Sequence, residues 1–490
     1  MPEKKACHTC RRRRVKCDRG VPHCNRCRGA GLECLGYGKL ILWNQGVASR
    51  GKMMGKTFEL PKADSLSSPR PGSPHCSEGR TVSATPASPM VDPLFQDFSP
   101  TIRRYLTHFG RTFSTDLVIY DVPDQNPVRQ LLRYARDHPV LRHIIVATSA
   151  HHLYNLSAPE DASRNSIHND ALMSKNTAIR LLNDELAHLD RFDANITLAA
   201  VMLFIYLDFL ELGERTWRVH LEGAKSLIRY VKGKNRAGGC VEDLSVHRWL
   251  VSEIFILDII GSTLGFAWSL EPSIYGLEEH EGIESILTMA EVNNFVSCPA
   301  QLLKQLLALM QSSQSSSQPH DPARDHQAAA VLCQVQEFNP FGWAFSIQSL
   351  SPCKDFNQRV QIASAYKAAI CLYVSRLLPP GHPSNYTRDD RQDLVSGVIG
   401  HLSQLRPDNG LFKSTMWPCF IAGAEADCPD QRSWVRTHMG TIYKVFPYRS
   451  YKSTMETLEL MWRQDKQGVS GSPENWLHKL RRLNVDLWVA

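Results

Sequence analysis

Residues 137–154 read DHPVLRHIIVATSAHHLY: an Asp and a Pro suited to a helix start, then apolar residues at intervals of three and four (Leu141, Ile144, Ile145). The same period predicts helices over 166–190, 194–212, 216–232, 246–260, 358–378, 393–405 and 451–465. Gly213 and Gly233 fall just past two of these stretches, where C-terminal caps belong. No sustained period-two pattern interrupts the series, so no strands are expected. The polar run QSSQSSSQPHDPARDHQ (311–327) predicts a surface loop. The most apolar stretch, LAAVMLFIYLDFL (198–210), is short for a bilayer span and contains Asp208. It predicts a buried core helix and no membrane association. The Trp and Phe residues of WPCFIAG (417–423) and FNPFGWAF (338–345) read as core, and the mixed C-terminal stretch NWLHKLRRLNVDLWVA reads as helical.

Before residue 101 the pattern changes. Residues 61–100 hold eight Pro and eight Ser with few large apolar side chains, which predicts a flexible tether without a packed core. Its Ser-Pro pairs (Ser68-Pro69, Ser73-Pro74, Ser88-Pro89, Ser99-Pro100) are candidate proline-directed phosphorylation sites, although linker composition alone explains them. The expected organisation is a small module over 1–40, a linker over 41–100 and an all-helical domain over 101–490. Hydrophobic residues make up 43% of the 490 and charged residues 21%, enough for a sizeable core. The N-terminus has no apolar h-region, so secretion is not expected and the 14 cysteines should be mostly reduced.

Charge and cysteine concentrate in the same place. Residues 1–39 carry eleven Lys or Arg against three acids, a net of +8 in a chain whose total is +7, so the other 451 residues carry a net −1. Such local basicity predicts a polyanion-binding module. Within it, Cys7, Cys10, Cys17, Cys24, Cys27 and Cys34 are spaced C-x2-C-x6-C-x6-C-x2-C-x6-C, a unit repeated at an offset of seventeen. A redox pair or an iron–sulfur set is the alternative to zinc. A mononuclear zinc ribbon would strand two of the six. Two tetrahedral zinc ions need eight coordination positions, which six thiolates fill only by sharing two. The symmetry of the repeat makes Cys7 and Cys24 the shared pair, giving one quartet of Cys7, Cys10, Cys17 and Cys24 and another of Cys7, Cys24, Cys27 and Cys34. Six thiolates and two Zn2+ leave −2, which helps the basic residues to crowd here.

This spacing, with Cys17-Asp18 and with Pro22 two residues before the fourth cysteine, resembles the fungal binuclear zinc cluster family of transcription regulators. In each repeat the six residues after CxxC are expected to begin as a short helix. The first carries RRRRVK and the second RGAGLE, so only the first can neutralise phosphates densely. The resemblance implies that this helix docks in the major groove of double-stranded DNA over a CGG triplet. Arg13 and Arg14, four and three residues before the third cysteine, would read it, with a bidentate option toward guanine. Arg11 and Lys16 fall at the family's phosphate-contacting positions, and Arg12 joins them by proximity. For each arginine the plain alternative is a solvated charge that aids nuclear import.

Many family members dimerise through a coiled coil just after the cluster. Residues 35–56 (LGYGKLILWNQGVASRGKMMGK) lack the apolar heptads, so a monomer and a homodimer formed through the helical domain both stay open. CLGYGKLILW is similar to the extension in regulators of the acriflavine-sensitivity type. The helical region resembles the second type of fungal-specific transcription factor domain, through YLTHF (105–109), NPVRQLL (126–132), the His151-His152 helix and MWPCFIAGAEA (416–426). It carries no nucleophile elbow, P-loop, HExxH or dinucleotide-binding signature. His151 and His152 read as packed, and the scattered later cysteines as inert thiols. A small-molecule effector pocket between the helices is open, with nothing in the sequence to locate it. The reading is therefore a mainly α, non-enzymatic nuclear regulator with two Zn2+ ions, engaging DNA and the transcription machinery as an activator. The resemblance implies control of a metabolic, secondary-metabolite or drug-response pathway. The alternative is a scaffold or enzyme-like helical protein that uses the zinc module only for localisation.

Overall fold

Every side chain from Ile196 to Leu210 is buried, on all faces of the helix Ala194–Glu211. Burial of a Leu, Ile or Phe side chain stabilises by about 1.5–3 kcal/mol, and a helix apolar all round needs neighbours all round. It has them: Pro139–Leu156, Thr216–Arg236, Leu244–Leu264 and Arg449–Gln467 pack around it. The helix is longer than the apolar run that marks it in the sequence, and its length and composition would suit a membrane span. Protein covers it instead.

In this computed structural model the described residues are 6–20, 23–32, 34, 93–122, 124–211, 216–236, 244–264, 280–314, 322–349, 355–467, 475–483 and 487–489. They fall in two compact units, Met1–Ala87 and Ser88–Ala490. The larger is helical, with no strand among its described residues. The expected linker over 41–100 lies outside the described residues except for its last eight.

Each of the eight helices expected from periodicity exists, with ends shifted by a few residues: Pro139–Leu156, Arg164–Ala187, Ala194–Glu211, Thr216–Arg236, Leu244–Leu264, Phe356–Ser375, Arg388–Leu402 and Arg449–Gln467. A second group packs around Phe356–Ser375, including Arg388–Leu402 and Met416–Glu425. Glu425 fastens the C-terminal end to it. Its carboxylate accepts from Arg376 Nη2 at 2.6 Å and from Trp476 Nε1 at 2.8 Å, and Arg391 lies 3.8 Å away. The helix Trp476–Leu483 is thereby tied down, and residues 487–489 follow it into the core.

Several local expectations need correction. Gly233 is not a cap, because its helix continues to Arg236, and Gly213 lies outside the described residues. The polar run 311–327 is partly helical: Ala300–Gln314 runs into it and Pro322–Glu337 begins within it. Gln, Ala and Arg are good helix formers, and Pro suits a first helical turn. FNPFGWAF is only half core. Asn339 caps a short helix, Pro340–Ser346, which buries Trp343 and leaves Phe341 and Phe345 59% and 70% exposed. WPCFIAG is buried as expected, and so are His151 and His152.

Candidate metal centre and nucleic-acid interface

Each C-x2-C pair sets its first sulfur at a helix N-cap. Cys7 Sγ accepts the backbone N–H of Cys10, and Cys24 Sγ that of Cys27, both at 3.3 Å. The helices are His8–Arg12 and Asn25–Gly29, so they start after the first cysteine of each repeat, not after the second as expected. The reason is the cap: sulfur takes the place that a Ser or Asp oxygen usually fills, and the turn nucleates on it.

The two helices also end alike. In the first, Arg14 N–H donates to Arg11 O (3.2 Å) and Val15 N–H to Cys10 O (3.0 Å). In the second, Gly31 donates to Arg28 O (3.2 Å) and Leu32 to Cys27 O (3.0 Å). Both are Schellman closures, which need a left-handed residue at the crossing point. Gly31 fills it at φ 61°, and Arg14 fills the equivalent position at φ 55°. The basic run is thus bent. Arg11 and Arg12 stand on the helix, Arg13 is its C-cap, and Arg14 turns the chain away before Val15 packs back against the sulfurs. All four arginines and Lys16 are exposed.

The structure brings the six cysteines together. Two four-residue groups, Cys7, Cys10, Cys17 and Cys24 and then Cys7, Cys24, Cys27 and Cys34, each keep their sulfurs within 4.8 Å of one another. Sulfur–sulfur distances are 3.6 Å for Cys7–Cys24, 3.8 Å for Cys7–Cys27 and 3.7 Å for Cys10–Cys24. A tetrahedron with Zn–S bonds of ~2.3 Å has an edge of about 3.8 Å, so the donor set fits zinc. Cys10 and Cys27 also lie 3.7 Å apart and join the two groups.

Backbone amides support the outer sulfurs: Cys34 Sγ accepts from Cys24 N and Cys17 Sγ from Arg19 N, both at 3.4 Å. Burial pushes the thiols of Cys7, Cys10, Cys24 and Cys27 up, so a divalent cation entering must displace protons. At Cys17 burial also pushes upward, but amides of Cys7 and Arg19 outweigh it and hold the thiol at about 7.

Asp18 has a role that spacing alone did not give. Its carboxylate accepts the amides of Asn25 (2.8 Å) and Arg26 (2.9 Å), clamping the start of the second helix to the end of the first repeat. Those amide donors hold its pKa below the ordinary carboxylate value. Val15 was missed as well; its signal is that it alone is apolar in a basic run. Pro22 lies outside the described residues.

Comparison with known proteins accounts for both units. Residues 104–490 match the fungal specific transcription factor domain, and residues 5–43 match the fungal Zn(2)-Cys(6) binuclear cluster domain. The chain belongs to this family of fungal transcription factors. It is similar along 97% of its length to acriflavine sensitivity control protein acr-2 of Neurospora crassa, at 26% identity and over 95% of that protein. The phomenoic acid biosynthesis cluster-specific transcriptional regulator of Leptosphaeria maculans is 22% identical over 86% of this chain and 78% of its own. Pestheic acid cluster transcriptional regulator 3 of Pestalotiopsis fici is 21% identical over 94% of each. No solved structure matches. The zinc-cluster regulator so defined binds two zinc ions and is not an enzyme.

Proposed function

We propose that this zinc-cluster regulator acts in the nucleus as a sequence-specific activator that reads CGG-type triplets in the major groove of duplex DNA. Cys7, Cys10, Cys17 and Cys24 would hold one zinc and Cys7, Cys24, Cys27 and Cys34 the other, with Cys7 and Cys24 bridging. Bound zinc supplies the cross-link that a segment this short lacks in apolar core. The observation that carries the reading is the fan of exposed arginines on one rigid, sulfur-capped turn. The equivalent turn of the second repeat presents Arg28, Gly29, Ala30 and Gly31. Arg13 and Arg14 leave that turn beyond the helix end, free to reach base edges, while Arg11, Arg12 and Lys16 contact phosphates. The names of the relatives, one a biosynthesis cluster-specific regulator and another a cluster transcriptional regulator, favour control of a secondary-metabolite cluster.

The test is selection of randomised duplex DNA by the zinc-loaded full chain. A CGG-type triplet should be enriched, singly for a monomer or as a spaced pair for a homodimer. Arg14→Ala should cost about 1–3 kcal/mol and relax one position, whereas Arg11→Ala should weaken all sequences alike and lower the salt slope by about one. Equal, sequence-independent losses in both variants would overturn the assignment, and no enrichment at all would overturn the function.

A further inference from the structure

The C-terminal indole of Trp488 sits in a slot built for a flat ring. It lies parallel on Phe209, with centroids 4.9 Å apart and planes 5° apart, and meets Trp217 edge-on at 5.5 Å. The slot depends on Gly261. A Cβ there would stand 2.5 Å from the Trp217 ring and 3.3 Å from that of Trp488.

Beside Trp488 a few polar groups interrupt the apolar core. The ring forms one wall of a cavity whose other walls include Phe209, Lys413, Tyr448, Ser450 and Asp116. The hydroxyls of Tyr448 and Ser450 are buried there without a hydrogen-bond partner. An unpaired buried hydroxyl costs about 1–3 kcal/mol, so both favour a water or a ligand group that offers them a partner. Lys413 is 8% exposed, and it donates to the carbonyls of Thr115 and of Val118, the latter at 2.7 Å. Burial lowers its pKa to about 8, against the pull of Asp116 and Asp121. With the indole in place, the free space is on the order of one water molecule. Without it, the cavity and the aromatic slot become one site, flat and apolar at one end and lined at the other by Lys413, two hydroxyls and the Asp116 carboxylate, which lies 3.2 Å from His152 Nε2.

We propose that this combined site binds a small planar aromatic ligand bearing an acidic group, and that residues 487–489 occupy it in the ligand-free protein. The ring of the ligand takes the place of Trp488 on Phe209. Its anionic group reaches Lys413 and the hydroxyls of Tyr448 and Ser450, which indole has no group to satisfy. Binding and docking of the C-terminal segment are mutually exclusive, so the ligand acts by releasing that segment. The inference does not depend on the DNA-binding reading.

The experiment titrates the full chain with indole-3-acetate and, in parallel, with neutral indole, while hydrogen exchange is followed at residues 487–489. Indole-3-acetate should accelerate exchange there in the wild type. Trp488→Ala should bind it about tenfold more tightly or better, because no segment competes. Lys413→Met should abolish the preference for the acid over indole. Binding by Trp488→Ala alone, with wild-type exchange unchanged at ligand concentrations that saturate the variant, would overturn the proposal, since Trp488 would then be ordinary core. Equal binding of acid and neutral ring would overturn it too, as would binding by neither protein. If Trp488→Ala fails to fold, the wild-type exchange measurement still decides.

Discussion

The zinc module and the helical body are ordered by opposite means. Among the described residues, Val15 is the one apolar side chain besides the cysteines themselves that packs against the sulfurs. In the body one continuous core runs from Phe95 to Val489. The module takes its shape from sulfur caps, two Schellman closures and the Asp18 clamp, all within a few residues of each other in sequence. The body takes its shape from burial between segments hundreds of residues apart, such as Tyr120 donating to Asp355 at 2.8 Å. A module of the first kind can carry an exposed run of four arginines, because no hydrophobic face has to be protected.

Metal removal should separate the two most sharply. Structural zinc contributes about 10–16 kcal/mol to such a fold, so a strong chelator should erase amide protection over residues 6–34 and leave that of the helices from Pro139 onward. A module that kept its protection would break the comparison. The reciprocal change is Glu425→Ala, which strands Arg376 and the Trp476 indole N–H. It should cost the body about 3–5 kcal/mol, read as an earlier denaturant midpoint, with zinc stoichiometry unchanged.

A pH effect of similar size belongs to the body alone. Glu253 is fully buried, and burial raises its pKa to about 7 against the donors Tyr206 and Asn294. A raised carboxyl binds its proton more tightly in the folded chain, so its contribution is complete below about pH 4.5 and is lost as pH rises toward 7. The loss is about 3 kcal/mol over that window. Burial lowers the pKa values of His108, His151, His220 and His438 to about 4, and these gain stability over the same range. The Glu253 contribution is therefore read as the difference between wild type and Glu253→Gln in denaturant melts at pH 5 and pH 7.5: the variant should gain about 3 kcal/mol relative to wild type between the two.

The smallest effect compares the two repeats. Arg14 holds a left-handed conformation that its counterpart Gly31 adopts without strain. Arg14→Gly should therefore stabilise the module by about 1 kcal/mol while weakening DNA discrimination. Gly31→Ala, whose Cβ would meet nothing within 4 Å, should destabilise it by about the same amount and leave discrimination intact. Chelator-resistance curves beside DNA selection read both quantities, and stability changes of the same sign would refute the backbone argument.

Legibility in the sequence followed the range of the interactions. The cysteine groups were readable because spacing of three and seven residues constrains where sulfurs can go, and the arginines because they lie in one run. The helix starts at Cys7 and Cys24 were misplaced because a sulfur cap does not look like the usual oxygen cap. In the body, periodicity found eight helices but placed Gly233 at an end, since a glycine signals a cap only when the apolar pattern stops with it. Phe341 and Phe345 were indistinguishable from core because an aromatic carries no mark of the side on which its helix will pack.

The sequence by itself determined the metal chemistry, the basic surface and the helical class, because each depends on residue type and near spacing. Only the tertiary structure decided that Glu425 gathers two arginines and an indole and that Trp488 closes a cavity lined by Lys413 in the core. Those depend on where distant segments meet, which no local pattern encodes. Trp488 and Phe209 are 279 residues apart in the chain and in stacking contact in the fold.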